Sequence, residues 1–129
     1  MPKRDIILVE DDHLVGEIAR DILTGAGYSV TWVQHPGEAV AAVKKAHPRL
    51  VITDLMMPGI SGLDLCKALS ADPDLKGLKI MVMSAKSFEI ERRRAQMFGA
   101  AHFLPKPFTE ACLLKAVKDL LHGPAAHPH

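Results

Sequence analysis

Short unbroken apolar runs alternate along this chain with stretches in which apolar residues recur every three or four positions. Ile6-Ile7-Leu8-Val9 is the first run, rich in β-branched residues, and it predicts a strand buried on both faces. From Leu14 the period changes. Leu14, Ile18 and Ile22 recur every four residues with Val15 and Leu23 beside them, which predicts a helix, its end punctuated by Gly25 and Gly27. Tyr28 to Val33 reads as a second strand. Pro36 opens a helix with Ala39, Val40 and Val43 on one face, and Pro48 closes it. Leu50-Val51-Ile52-Thr53 is a further buried strand ending at Asp54, followed by a Pro- and Gly-rich loop and a short helix carrying Leu63, Cys66 and Leu69. After the turn Asp72-Pro73-Asp74 come a strand from Lys79 to Met83, ending at Ser84, and a helix from Phe88 to Phe98. Ala101 to Leu104 is the fifth strand. A last helix, capped by Thr109, carries Leu113, Leu114, Val117, Leu120 and Leu121.

Strand and helix thus alternate about five times with short connections. The rhythm predicts an α/β fold, a doubly wound parallel sheet with helices on both faces. The carboxyl ends of parallel strands share one edge, and ligands bind there where strand order reverses. The unusual residues all fall at that edge. Glu10 and Asp11 follow the first strand, Asp54 the third, Ser84 the fourth and Lys106 the fifth. With strand order 2-1-3-4-5, Asp54 faces Glu10 and Asp11 across the crevice.

Composition narrows the picture. The 129 residues suit one domain with a single core, and the 48% hydrophobic content is enough to fill it. Aromatics are 5%, so the core is aliphatic. A net charge of +1 gives no general pull toward nucleic acid or anionic membrane. Cys66 and Cys112 lack metal-type spacing and read as two reduced, part-buried thiols. No signal peptide is evident and no apolar run approaches the roughly 20 residues that span a bilayer, so a cytoplasmic protein is the expectation.

Carboxylates crowded into one crevice repel one another, and a divalent cation resolves the conflict. Oxygen ligands without convergent Cys or His favour a hard ion. Mg²⁺ suits best, with Mn²⁺ as the alternative, because Mg²⁺ keeps several waters and leaves positions for phosphate oxygens. Lys106 adds a positive point charge. Cation and lysine together are what an incoming phosphoryl group needs, and a carboxylate can be its nucleophile.

Four stretches now stand together in order: Leu8-Val9-Glu10-Asp11-Asp12, Asp54-Leu55-Met56-Met57-Pro58-Gly59-Ile60-Ser61-Gly62, Met83-Ser84-Ala85, and Phe103-Leu104-Pro105-Lys106-Pro107-Phe108. On these the sequence resembles, over residues 5 to 121, the receiver domain of two-component response regulators, in its stand-alone, chemotaxis-regulator-like form. The resemblance implies a flavodoxin-like five-stranded sheet of order 2-1-3-4-5 with five helices, a receiver domain over residues 1–122 and a disordered tail over 123–129. It implies that Asp54 is the phosphorylated aspartate, Asp11 a direct metal ligand and Glu10 a support of the metal through water. The backbone carbonyl of Met56 completes the protein's share of the metal shell. Lys106 pairs with the phosphoryl oxygens, Ser84 donates its hydroxyl to the phosphoryl group, and Phe103 is the aromatic switch. The Lys106–Pro107 bond is expected to be cis, aiming the lysine. Glu10 stands where Asp is frequent, Ser84 replaces a frequent Thr, and Phe103 lacks the hydroxyl of a Tyr. Met56 and Lys86 flank the phosphoryl position and tune acyl-phosphate lifetime in the family.

The implied partners are a sensor histidine kinase or histidine phosphotransfer protein as donor, and a downstream protein docked on the face of the fourth helix, fifth strand and fifth helix. Neither direct nucleic-acid binding nor membrane insertion is expected, and the chain acts as a switch rather than an enzyme, catalysing only its own phosphorylation and dephosphorylation. Arg92-Arg93-Arg94 on that face is a solvated stripe or a docking site for an acidic surface. His13 reads as an exposed residue at a helix start, and His102 as pointing away from Phe103. The methionines, Met56, Met57, Met81, Met83 and Met97 among them, read as core packing. Two other readings stay open. One is a receiver segment of a larger hybrid kinase or regulator, which the opening Met1-Pro2-Lys3-Arg4 disfavours. The other is a metal-dependent aspartyl phosphohydrolase, which expects Asp-x-Asp after the first strand where this chain has adjacent acids.

Overall fold

The computed structural model describes residues 5–57, 59, 61–85 and 89–122. Five parallel strands, β1 (Ile6–Val9), β2 (Val30–Val33), β3 (Leu50–Asp54), β4 (Lys79–Ser84) and β5 (His102–Pro105), form one sheet in the order β2-β1-β3-β4-β5. Helices α1 (His13–Gly25), α2 (Ala39–Ala46), α3 (Gly62–Ser70), α4 (Glu89–Met97) and α5 (Glu110–His122) make the connections and cover both faces. Ile6 to Val9 pairs in register with Val30 to Val33 on one side and Leu50 to Thr53 on the other.

The continuous apolar strands follow from that burial. Successive side chains of a strand point to opposite faces. Ile7, Val9, Val51, Ile80 and Val82 therefore enter a core with Val43, Leu65, Cys66, Leu69 and Ala95 from α2, α3 and α4. Ile6, Leu8, Leu50, Ile52, Met81 and Met83 enter a second core with Ala19, Leu23, Leu113 and Val117 from α1 and α5. A polar residue in the middle of any such run would be stranded without water, so the polar groups of these strands are confined to their ends.

Several boundaries differ from the pattern-based expectation. Tyr28 and Ser29 precede β2, an edge strand whose first three residues are only half-buried. The turn from Pro36 to Glu38 is a 3₁₀ helix, and α2 begins only at Ala39, because the proline-led turn closes on tighter bonds first. β5 runs one residue later than expected. Phe88, the expected start of α4, and the tail 123–129 lie outside the described residues. Thr109 does cap α5, its hydroxyl accepting from the Cys112 amide at 3.0 Å.

Helix α1 exposes part of its apolar stripe. Its buried residues are Gly16, Ala19 and Leu23, whereas Leu14 is 67% and Ile18 is 46% exposed. Leu14 and Ile18 face out, Ile22 packs against the second core, and Gly16 and Ala19 face the sheet. The reason is Trp32 on β2, whose indole fills the space that longer side chains on α1 would need. A Cβ at Gly16 would overlap its ring.

Candidate functional site

Each strand end supplies one part of the site. Glu10 follows β1, and its amide donates to Val33 O at 3.2 Å, extending the ladder one residue beyond the strand. The chain then turns. Asp12 caps α1, its Oδ1 accepting from the Leu14 and Val15 amides at 3.0 and 3.1 Å, while its own amide donates to Glu10 Oε2 at 3.2 Å. This capping pins the turn Glu10-Asp11-Asp12 and leaves Asp11 exposed at the rim.

Asp54 ends β3 and is 8% exposed. Helix α3 packs directly on its peptide. The Gly62 amide donates to Leu55 O at 2.8 Å, and a Cβ on Gly62 would overlap the Asp54 carbonyl oxygen and lie 2.9 Å from Leu55 Cα. Only glycine lets the first turn of α3 sit this close to the acid.

Lys106, half-buried just beyond β5, reaches back across the sheet edge. Its Nζ lies 2.9 Å from Glu10 Oε1 and 3.1 Å from Asp54 Oδ2. Its amide donates to Ser84 O at 2.7 Å, tying the β4 and β5 ends together. The Lys106–Pro107 bond is cis, as expected. One carboxylate oxygen each from Glu10, Asp11 and Asp54 lies within 4.8 Å of the others.

The electrostatics follow from burial. Glu10 is wholly buried, and loss of water raises its carboxyl to about 7 even though the Lys106 hydrogen bond pulls it down; the Asp54 charge adds to the rise. Burial works to lower Lys106, but its hydrogen bond to Glu10 and the charges of Glu10 and Asp54 outweigh that, and it titrates above the ordinary lysine range. One lysine thus serves two carboxylates with a third beside them. Among the described residues the cluster holds negative charge in excess of the one cation paired with it, in a hard, all-oxygen donor set that fits Mg²⁺.

The expected switch residues lie further along the same edge. Ser84 is 1% exposed at the end of β4. Phe103 is half-buried on β5 and packs against the core shared by α2, α3 and α4. His102, its neighbour, is exposed and held below the ordinary histidine range, by partial burial first and then by the Arg92 charge. Met56 stands two residues after Asp54 with its side chain exposed, and Lys86 lies outside the described residues. Of the methionines, Met81 and Met83 are buried, but Met56 at 59% and Met97 at 79% exposure are surface residues, correcting their assignment to the core. The thiols also differ from expectation. Cys66 is fully buried, which pushes it up to about 12, whereas Cys112 is exposed; both are free.

Two features escaped the sequence pattern. Trp32 Nε1 donates to the Glu10 carbonyl oxygen at 2.9 Å. An apolar cavity of about 330 Å³ opens beside Lys106, lined by Val15, Ile18, Ala85, Pro107 and Phe108. The available signals were a single tryptophan on an edge strand and a glycine inside the α1 pattern, since a glycine there usually has a packing reason.

Comparison with known proteins agrees with this geometry. The family model of the response regulator receiver domain matches residues 6–118. The phosphate regulon transcriptional regulatory protein PhoB of Rhizobium meliloti is 34% identical over 121 residues, covering 94% of this chain and 52% of that protein. The response regulator MprA of Mycolicibacterium vanbaalenii is 38% identical, with 94% and 51% covered. The chain therefore spans about half the length of the curated relatives it matches. Among solved structures, the Vibrio cholerae chemotaxis protein CheY4 superposes with a TM-score of 0.87 at 26% identity, covering 93% of this chain and all of that one. The signal receiver domain of a signal transduction histidine kinase from Syntrophus aciditrophicus gives 0.84 at 31% identity, with 97% and 94% covered. Among the described residues no helix is long and apolar enough to cross a membrane. With an acid cluster and a lysine gathered at the carboxyl edge of a β2-β1-β3-β4-β5 sheet, the chain belongs to the response regulator receiver domain family.

Proposed function

We infer that this chain is a Mg²⁺-dependent phospho-acceptor switch in which Asp54 takes a phosphoryl group from a phosphohistidine on a sensor kinase or phosphotransfer protein. The observation that carries the reading is the placement of the Asp54 carboxylate, 3.1 Å from Lys106 Nζ and within 4.8 Å of Glu10 and Asp11 oxygens. In the transfer, an Asp54 oxygen forms a bond to phosphorus as the P–N bond to the donor imidazole breaks, and the electron pair leaves with the ring nitrogen. Asp11, Asp54 and the Met56 backbone carbonyl would hold Mg²⁺, with Glu10 acting through water. When bound, the ion supplies charge neutralisation at the equatorial phosphoryl oxygens. Lys106 neutralises the remaining side. It can do so because it is already drawn to Asp54 by charge and needs only a small displacement to follow the phosphoryl oxygens. Ser84 Oγ then donates to the phosphoryl group, and Phe103 responds to the displacement of Ser84, shifting an existing equilibrium.

Two surfaces support docking as the mode of action. The apolar cavity lined by Ile18 and Lys106 adjoins the lysine that contacts the acceptor, and exposed Leu14 lies on the same helix as Ile18. A polar cavity of about 280 Å³ lined by Glu89, Arg92, Gln96, His102 and Phe103 lies between α4 and β5, on the proposed output face. Arg92, Arg93 and Arg94 are all exposed there, which suits an acidic partner surface. Relatives such as PhoB are named as transcriptional regulators and are about twice as long. A receiver working within such a regulator is the second reading.

The test is intact-mass spectrometry after incubation with Mg²⁺ and acetyl phosphate. One phosphoryl adduct is expected, absent without Mg²⁺ and absent from Asp54→Asn. No adduct on folded, Mg²⁺-bound protein, with hydrolysis during the assay excluded, would overturn the reading.

A further inference from the structure

Trp32 is the penultimate residue of the β2 pairing, opposite Leu8, and has no place in the chemistry described above. Its indole nonetheless ends at the acid pocket. Nε1 donates to the carbonyl oxygen of Glu10, at the point where the β1–β2 ladder stops. That carbonyl belongs to the peptide unit joining Glu10 to Asp11. The unit is planar, so holding its oxygen restrains the peptide plane that carries the Cα atoms of both acidic residues.

The ring is itself held. Gly16 of α1 lies against it so closely that a Cβ would overlap Cζ2 and Cε2. The His13 ring sits at 5.3 Å, tilted by 56°, and the Arg20 guanidinium lies 5.5 Å from the ring centroid. His13, Gly16 and Arg20 share one face of α1, and that helix begins at the Asp12 cap whose amide is bonded to Glu10. The indole is therefore clamped between the helix that follows the acids and the strand that precedes them.

We propose that Trp32 is a positioning residue that locks the Glu10–Asp11 peptide so that the two acids stay directed at one cation, with Gly16 as the vacancy that admits its ring. The inference rests on the Mg²⁺-dependent reading above and adds a residue to it. A glycine inside a helix costs roughly 1 kcal/mol against alanine, so Gly16→Ala would gain helix propensity while expelling the indole. Trp32→Phe keeps an aromatic body but removes the donor and part of the ring. The two variants attack one contact from opposite sides.

Amide hydrogen exchange on the metal-free chain tests the lock without reference to phosphorylation. In both variants Asp12, whose amide reports the turn, is expected to exchange roughly 5-fold faster, the size expected for one lost hydrogen bond, with Leu8 and Ile52 unchanged. Calorimetric titration with Mg²⁺ is expected to show affinity lowered by about 10-fold, the lower bound for loss of a group that orients metal ligands. Adduct formation from acetyl phosphate should recover at saturating Mg²⁺, separating a positioning defect from a damaged acceptor. Unchanged Asp12 exchange, or unchanged Mg²⁺ affinity, in both variants would overturn the proposal. So would accelerated exchange throughout the core strands, since Trp32 would then be a packing residue only. A wild-type chain that binds no Mg²⁺ would overturn the cation role together with the receiver reading, and Asp12 exchange would still show whether the indole holds the turn.

Discussion

Glu10 is the residue whose chemistry the fold changes most. It is fully buried, raised to about 7 chiefly by desolvation, and still hydrogen-bonded to Lys106 at 2.9 Å. An acid that is harder to ionise in the folded chain than in the unfolded one binds more protons when folded. Folding stability therefore falls as pH rises through the window between the ordinary glutamate value and about 7. Glu10→Gln keeps the shape and the acceptor oxygen facing Lys106 but cannot ionise. In metal-free buffer, wild type should lose stability relative to Glu10→Gln as pH climbs from about 4.5 to 7, and the difference should stop changing below that window. Urea denaturation at several pH values, followed by far-UV circular dichroism, measures the slope; parallel pH profiles for the two proteins would show that Glu10 ionises freely in the folded chain.

Among the elements, α1 separates what the sequence makes legible from what it does not. The core strands β1, β3 and β4 are unbroken apolar runs because helices cover both faces, so pattern alone locates them. The site is legible for the same reason: Glu10, Asp54 and Ser84 are polar groups at the ends of apolar runs, and a parallel sheet sends them all to one edge. In α1 the apolar period is genuine but its direction is not encoded locally. Which face turns inward depends on Trp32, a side chain from another strand, and no periodicity within α1 contains that contact. The contact of Trp32 with the Glu10 carbonyl is illegible on the same ground. The outward stripe has a measurable consequence. Leu14→Ser and Ile18→Ser should each change stability by no more than about 0.5 kcal/mol, as exposed substitutions do, while Leu23→Ala on the buried face should cost about 2–5 kcal/mol. Chemical denaturation of the three variants decides the orientation of the helix, and large losses for Leu14 and Ile18 would overturn the outward orientation.

At the scale of the whole molecule, the sheet gathers charge at one edge that the fold alone does not neutralise. Among the described residues three carboxylates meet a single lysine, and that lysine is shared between two of them. The repelling acids come from the ends of β1 and β3, and the lysine that bridges two of them from the β5–α5 connection, so relieving the repulsion should stabilise the folded chain globally rather than loosen or tighten one loop. A cation that binds the folded state and not the unfolded one adds RT ln(1 + [L]/Kd), about 2.7 kcal/mol at a hundredfold excess over Kd. For a chain of this length that corresponds to a rise in Tm of roughly 10 °C. Mg²⁺ should produce such a rise in differential scanning calorimetry, and chelation should reverse it. Screening by salt also weakens repulsion between carboxylates, so NaCl at matched ionic strength is the necessary control; it should reproduce only a small part of the effect, because buried charges are poorly screened. Asp11→Asn removes one anionic ligand without disturbing the Lys106 bridge, and should abolish the Mg²⁺ increment while raising the metal-free Tm slightly, because one repelling charge is gone. A rise that NaCl matches, or that survives Asp11→Asn in full, would assign the stabilisation to general screening and leave the acid cluster without a specific ion.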